Sequence, residues 1–260
     1  MRVARFVNHA PATMQNAAMS RSGAIMLLLT AHGSRDPRSA ANARAVAGQV
    51  AHLKPGLDVR LAFCEHNAPK LVDVLDGLTG AAVVTPLLLA NAYHARIDIP
   101  AQIARTGADV VQADVLGEDP RLISLLRQRI TEAGVSRLDD RVGVLVAAIG
   151  SSDLLANART RQVAPQLLTG TNWVGATTAF VTRPGPSLAE AAGRLRRQGA
   201  RRVVVAPWFL APGLLPDRVR RFADGAGLAL AEPLGAHRLV AETVLSRFDQ
   251  ARSTLGRAAA

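Results

Sequence analysis

Residues 24–36 read Ala-Ile-Met-Leu-Leu-Leu-Thr-Ala-His-Gly-Ser-Arg-Asp. A short apolar run that stops at His32-Gly33 has the pattern of a strand buried on both faces. Asp36 and Pro37 then open an Ala- and Arg-rich stretch to about Leu53 at helical spacing, with Asp36 as N-cap and Pro37 as the first helical residue. The order recurs downstream: Leu57–Phe63 reads as a strand, Ala68–Leu78 as a helix and Ala81–Leu89 as a strand. A loop through Asn91-Ala92-Tyr93-His94 leads to Asp98-Ile99-Pro100, an expected cap and helix start, and Val110–Leu116 with Pro120–Ala133 adds a fourth strand and helix. Such alternation predicts an α/β chain with a parallel sheet covered by helices on both faces.

The second half repeats the first. Val144–Asp153 follows the pattern of the segment ending in Thr30–Asp36, and Ala179-Phe180 with Pro186 and Leu188 answers Ala62-Phe63 with Pro69 and Leu71. Val203–Leu210 with Pro207 then matches Ala82–Leu89 with Pro86, and Leu234-Gly235 matches Leu116-Gly117. Four anchors in one order predict two tandem similar domains, 24–136 and 140–255, each with a four-stranded parallel sheet flanked by helices and joined near Ser136–Asp140. Residues 1–22 carry Arg2, Arg5 and Arg21 and no acidic residue. A signal peptide is rejected because cleavage after the following apolar run would remove the first core strand. The segment is read as a disordered N-terminal extension.

Composition narrows the function classes. With 260 residues and 49% hydrophobic content the chain can bury a substantial core, which excludes a mainly disordered tail or a disulfide-stapled miniprotein. Lys+Arg is 31 against 20 for Asp+Glu, a net charge of +11, and this balance favours an anionic partner. Only Lys54 and Lys70 are lysines, so part of the excess is a bias towards arginine. Nine aromatics (six Phe, two Trp, one Tyr) are too few for a base-stacking surface, so no nucleic-acid partner is expected. No run is long enough to span a bilayer. The single cysteine, Cys64, excludes an internal disulfide and a cysteine-based zinc module, which fits a reducing cytoplasm.

In open α/β sheets ligands bind beyond the carboxyl ends of the strands. His32 follows the first strand, Glu65 the second, and His94 sits in the loop after the third. Two imidazoles and a carboxylate from neighbouring strand ends can converge on one divalent ion or act as proton acceptors. Singly, a loop histidine is ordinarily solvated and a glutamate after a strand is ordinarily a surface charge; three at successive strand ends form a candidate site. The corresponding positions of the second half are Ile149, Thr182 and Leu215, which carry none of this chemistry. His66 alternates to the opposite side of an extended chain and is read as a surface residue, with an accessory ligand as the alternative. Cys64 is read as a small core residue.

Other motifs fail. No GxGxxG follows a strand, and there is no GK[ST] phosphate loop and no GxSxG elbow. Gly33-Ser34 at a helix start offers a modest anion site, and Arg35 and Arg96 lie beside the candidate site, where guanidinium forks suit carboxylates. The Arg194–Arg202 cluster spans a helix end, where cations are favourable without any nucleic acid.

The segments Thr30–Pro37, Ala62–Glu65 and Pro86–Pro100, with His-Gly-Ser-Arg in the first and His…Asp-Ile-Pro in the last, resemble the class II tetrapyrrole chelatases. Within that class they are most similar to the sirohydrochlorin cobalto- and ferrochelatases in their long two-domain form. The resemblance spans roughly residues 24–255. It implies a chelatase-like fold with two similar domains around a cleft, and a lyase that inserts Co²⁺ or Fe²⁺ into sirohydrochlorin, with Ni²⁺ also compatible with the donors. Its metal-handling and catalytic His, Glu and His fall on His32, Glu65 and His94, and Ser34, Arg35, Tyr93 and Arg96 become expected substrate contacts. No organic cofactor is implied, the partner is a tetrapyrrole, and one chain supplies a cleft without a second copy, so a monomer is expected. A protoporphyrin ferrochelatase is the alternative enzyme, and a non-catalytic tetrapyrrole or metal carrier the alternative outside enzymes. The family often has Leu where Cys64 stands and an acidic residue where Ala68 stands, and His66 is atypical.

Overall fold

The computed structural model describes residues 25–258; the expected extension over residues 1–22 lies outside them. The first half runs β1 (Met26–Ala31), α1 (Pro37–Leu53), β2 (Val59–Phe63), α2 (Leu71–Asp76), β3 (Ala82–Pro86), a π-helical turn (His94–Asp98), α3 (Ile99–Thr106), β4 (Val110–Gln112) and α4 (Pro120–Glu132). The second runs β5 (Val142–Ala148), α5 (Leu154–Arg161), α6 (Val163–Leu168), β6 (Gly175–Phe180), α7 (Leu188–Arg197), β7 (Arg202–Trp208), α8 (Leu214–Gly225), β8 (Ala229–Leu230) and α9 (Arg238–Ala258). The strands form two parallel four-stranded sheets, ordered β2-β1-β3-β4 and β6-β5-β7-β8. The repeat read from the sequence is therefore a repeat of topology.

Strand periodicity assigns the layers. Met26 and Leu28 of β1 join an outer apolar cluster with Leu71, Leu75, Val84 and Ile99, while Leu27, Leu29 and Ala31 face the molecular centre. In β5, Leu145 and Ala147 face the outer cluster of the second half, and Val142, Val144 and Val146 face the centre. The inward faces of both sheets share one continuous core with α1, α4, α6 and α9, in which Phe248, Leu122, Leu126 and Val46 are fully buried. The helices are exchanged within this core. The last helix of the second half, α9, lies on α1, β3 and β4 of the first, and α4, the last helix of the first half, lies on β7 and α6 of the second.

Strands β2, β3 and β4 are shorter than the sequence reading, β3 ending at Pro86 and β4 at Gln112, and two helix starts differ from it. The helix expected from Ala68 begins at Leu71, because the Pro69 carbonyl accepts the Phe63 N–H (2.9 Å) and holds the preceding residues in a loop. The helix expected to be capped at Asp98 begins earlier, with the π-helical turn at His94. Asp98 has helical backbone angles, and its carboxylate accepts from Gln102 Nε2 (2.9 Å) instead of capping α3. Asp36 does cap α1, accepting the Arg38 N–H at 3.0 Å.

Candidate metal centre

The parallel ladder continues past the ends of β1 and β2. Cys64 N–H donates to the Ala31 carbonyl and Glu65 N–H to the His32 carbonyl, both at 3.0 Å, so Glu65 is held beside His32. Gly33 makes this approach possible: its φ is +94°, and a Cβ there would stand 1.8 Å from the Glu65 carbonyl oxygen. From the far side of β1, the π-helical turn after β3 delivers His94, and Gln112 Nε2 anchors that turn by donating to the Ala95 carbonyl at 2.7 Å.

The three expected ligands converge. Ligand atoms of His32, Glu65 and His94 lie within 4.8 Å of one another. Adjacent donors on one first-row ion, with bonds near 2.1 Å, stand about 3.0–3.5 Å apart, so small side-chain rotations bring all three onto one ion. His32 Nδ1 is 3.0 Å from Glu65 Oε1 but not aligned for a hydrogen bond, and it is buried with no hydrogen-bond partner. A buried ring nitrogen beside a carboxylate oxygen, with no hydrogen bond between them, suits a cation held by both. The His32 and His94 rings are 3.8 Å apart at their centroids and tilted by 39°. Burial, and secondly the charge of so close a second imidazole, push the His94 pKa below its ordinary value; Asp98 and Glu65 oppose this only in part. His94 is therefore neutral near pH 7, ready to take a metal or a proton. Cys64 stays out of the donor set: burial, with Asp98 and Glu65 adding, pushes its thiol up to about 12, and its side chain packs on the outer apolar cluster.

His32 and His94 form part of one wall of a cavity of about 600 Å³ between the two halves, with Glu65 beside His32. Ser34 and Tyr93 line the same side, Tyr93 being 62% exposed with its ring edge-on to His94. Opposite stand Ile149, Trp208, Leu214 and Leu215. Two of these, Ile149 and Leu215, occupy the positions that correspond to His32 and His94. Thr182, the counterpart of Glu65, closes its hydroxyl onto the Gly150 backbone, accepting from N–H (2.9 Å) and donating to the carbonyl (3.1 Å).

The other expected contacts fare differently. The Ser34 N–H is taken by Asn67 Oδ1 (2.8 Å) and its hydroxyl accepts the Asp36 N–H (3.0 Å), so the anion site expected at Gly33-Ser34 is filled from within the protein. Arg35 is exposed and makes no ion pair among the described residues. Arg96 reaches across to the second half and pairs with Asp153 at 2.9 Å. His66 does not face away: its backbone is left-handed (φ 62°), and the ring returns to 3.6 Å from Glu65 Oε2. Asn67 and the adjoining 740 Å³ cavity beside β4, lined by Asp114, Glu118, Arg159 and Arg247, escape the sequence reading. Asn67 acts through a loop conformation that no periodicity encodes.

Comparisons with known proteins bear on the fold and the family. The CbiX family model matches residues 26–133 and matches again over 143–251. A sirohydrochlorin ferrochelatase of Priestia megaterium is 30% identical over 230 residues, 81% of this chain and 84% of its own length. A sirohydrochlorin cobaltochelatase of the same organism is 28% identical over 205 residues, 74% of this chain and 66% of that protein. SirB from Bacillus subtilis, solved with Fe³⁺, shares the fold at a TM-score of 0.77, over 89% of this chain and 97% of that one, with 22% sequence identity. With its family unit present twice, in two sheets of one topology, the chain belongs to the CbiX family.

Proposed function

We propose that this protein inserts a divalent metal, Co²⁺ or Fe²⁺, into sirohydrochlorin. The observation that carries the reading is the convergence of His32, Glu65 and His94, with both imidazoles on one wall of a cleft whose facing wall is apolar. Insertion of M²⁺ expels two pyrrole N–H protons, so the site needs a weakly held ion and neutral bases on the same side of the macrocycle. Two closely apposed imidazoles meet both needs, since their proximity disfavours holding two positive charges at once, while Glu65 shares the ion and offsets its charge. Nitrogen and oxygen donors hold first-row ions without the trapping of a thiolate cage. Ile149, Trp208 and Leu215 offer an apolar face for the ring.

Sirohydrochlorin carries eight carboxylates, and these belong at the cleft mouth. Arg35, exposed next to Ser34, is one partner for them, and Arg96 becomes another by exchanging Asp153 for a substrate carboxylate. Tyr93 supports the macrocycle edge, and the chain works as a monomer because both walls come from one polypeptide. The test is an insertion assay following loss of the free-base absorption of sirohydrochlorin with Co²⁺ and Fe²⁺ in parallel. Wild type should insert, and His94→Ala should lose activity about 100-fold or more. Insertion at the wild-type rate by His94→Ala would overturn the assignment.

A further inference from the structure

We propose that His66 and the outer oxygen of Glu65 form a second, solvent-side metal position, where the ion is captured before it reaches His32 and His94. The proposal rests on the insertion reading above. Among the described residues, His66 is the only non-glycine residue with left-handed backbone (φ 62°), a conformation disfavoured for a side chain with a Cβ. The chain around it is pinned: Glu65 N–H donates to the His32 carbonyl (3.0 Å), Asn67 N–H to the Glu65 carbonyl (2.7 Å), and Asn67 Oδ1 accepts from Ser34 (2.8 Å). A strained conformation held this firmly points to a function for the side chain it aims.

What it aims is an imidazole at the other oxygen of Glu65. Oε1 faces His32 Nδ1 at 3.0 Å, and Oε2 faces His66 Nε2 at 3.6 Å. The second separation is too long for a hydrogen bond. Adjacent donors on one first-row ion lie about 3.0–3.5 Å apart, so both gaps are close to the size of a shared cation. The two positions differ at the ligand atoms and not in overall side-chain exposure: the His32 and His66 side chains are 37% and 35% exposed, but His32 Nδ1 is itself buried and His94 is half-buried, whereas His66 is an exposed residue. At the outer position two protein ligands leave the remaining sites to water, so the ion is held loosely and keeps most of its hydration. Transfer then requires only that the ion pass from Oε2 to Oε1 of one carboxylate, shedding water as His32 and His94 replace it. No bond within the protein is made or broken.

The test uses Co²⁺ alone and the full chain. In a His32→Ala/His94→Ala background a weak Co²⁺ site should persist, visible in the visible-region absorption of the ion, and adding His66→Gly should weaken it about tenfold or more. In the otherwise wild-type protein, His66→Gly and His66→Asn should raise KM for Co²⁺ about tenfold while kcat at saturating metal moves less than about twofold. His66→Asp, which keeps a ligand and tolerates the backbone, should restore most of the loss. A purely structural His66 predicts the reverse order, because Gly and Asn adopt left-handed angles at least as readily as His. Unchanged Co²⁺ affinity in the double-variant background, or an unchanged KM in His66→Gly, overturns the proposal. If the wild type inserts no metal, the insertion reading fails, and the tetrapyrrole-free Co²⁺ titration still decides whether the outer position exists.

Discussion

Gly33 and Gly150 occupy matching turns, yet only the first lies under a ligand. A Cβ on Gly33 would meet the Glu65 carbonyl oxygen at 1.8 Å with φ at +94°, and one on Gly150 would meet the Arg183 carbonyl oxygen at 1.9 Å. Gly33→Ala should cost roughly 2–4 kcal/mol in urea unfolding, from overpacking and the left-handed backbone together. It should also weaken Co²⁺ binding by displacing Glu65. Gly150→Ala should cost roughly 1–3 kcal/mol from overpacking and leave Co²⁺ affinity unchanged. His94 supplies a pH prediction. Its pKa in the folded protein lies below the ordinary value of about 6.5, so the ring stays neutral until the pH falls through that lowered value. The acid limb of kcat/KM should therefore lie below about pH 6.5, and Asp98→Asn, which removes a charge favouring the imidazolium, should move it further down. Stability follows the same sign: the unfolded chain takes up the proton first, so the contribution of His94 is present above about pH 6.5 and is lost on acidification. An acid limb unmoved by Asp98→Asn would detach His94 from the profile.

At the scale of elements, the exchanged helices hold the halves together, and Arg247 shows how. From α9 its guanidinium donates to the carbonyls of Val115 (2.9 Å) and Leu116 (2.8 Å) and to Asp119 Oδ2 (3.1 Å), the N-cap of α4. Arg247→Ala should cost roughly 2–4 kcal/mol, since it strands several acceptors that the guanidinium satisfies at 17% exposure. The urea midpoint should fall with the m-value unchanged. None of this was legible in the sequence, because a helix that crosses to another sheet has the same amphipathic spacing as one that stays. What could be read were features with a local cause: the apolar run of β1, the helix starts at Asp36-Pro37 and at Pro120, and the Pro69/Pro186 correspondence. The convergence of His32, Glu65 and His94 was legible for a topological reason, since parallel strands put successive strand ends on one edge. The π-helical turn at His94 and the left-handed His66 were not, as one departs from the 3.6-residue period and the other from strand alternation.

Across the whole molecule the two halves face each other with unlike chemistry on a like scaffold. The crossing ion pairs keep the relation: Arg96 meets Asp153, the cap of α5, while at the opposite end Arg38 joins Asp36, the cap of α1, to Asp217, which holds the position matching Arg96. The second site has lost its side chains but kept much of its frame. Gly150 approaches the carbonyl of Arg183, one residue beyond the counterpart of Glu65, and Ile149 and Leu215 already line the cleft. If the second half lost only its ligands, returning them should return the site. The triple variant Ile149→His/Thr182→Glu/Leu215→His should therefore raise Co²⁺ binding at such triads from one ion per chain to two, measured by calorimetric titration against the wild type. Two stretches of backbone differ: the turn carrying the last ligand, π-helical at His94 and a regular helix start at Leu214, and the first turn, where Gly150 lacks the left-handed angle of Gly33 and the ladder bond from Glu65 to His32 has no counterpart at Thr182. A stoichiometry that stays at one would place the divergence in these backbones, and would mean that the asymmetry of the cleft is built into the fold as well as into three side chains. A stoichiometry of two would give metal on both faces of the cleft, and insertion should then fall, because the added histidines and carboxylate replace the apolar wall on which the macrocycle rests.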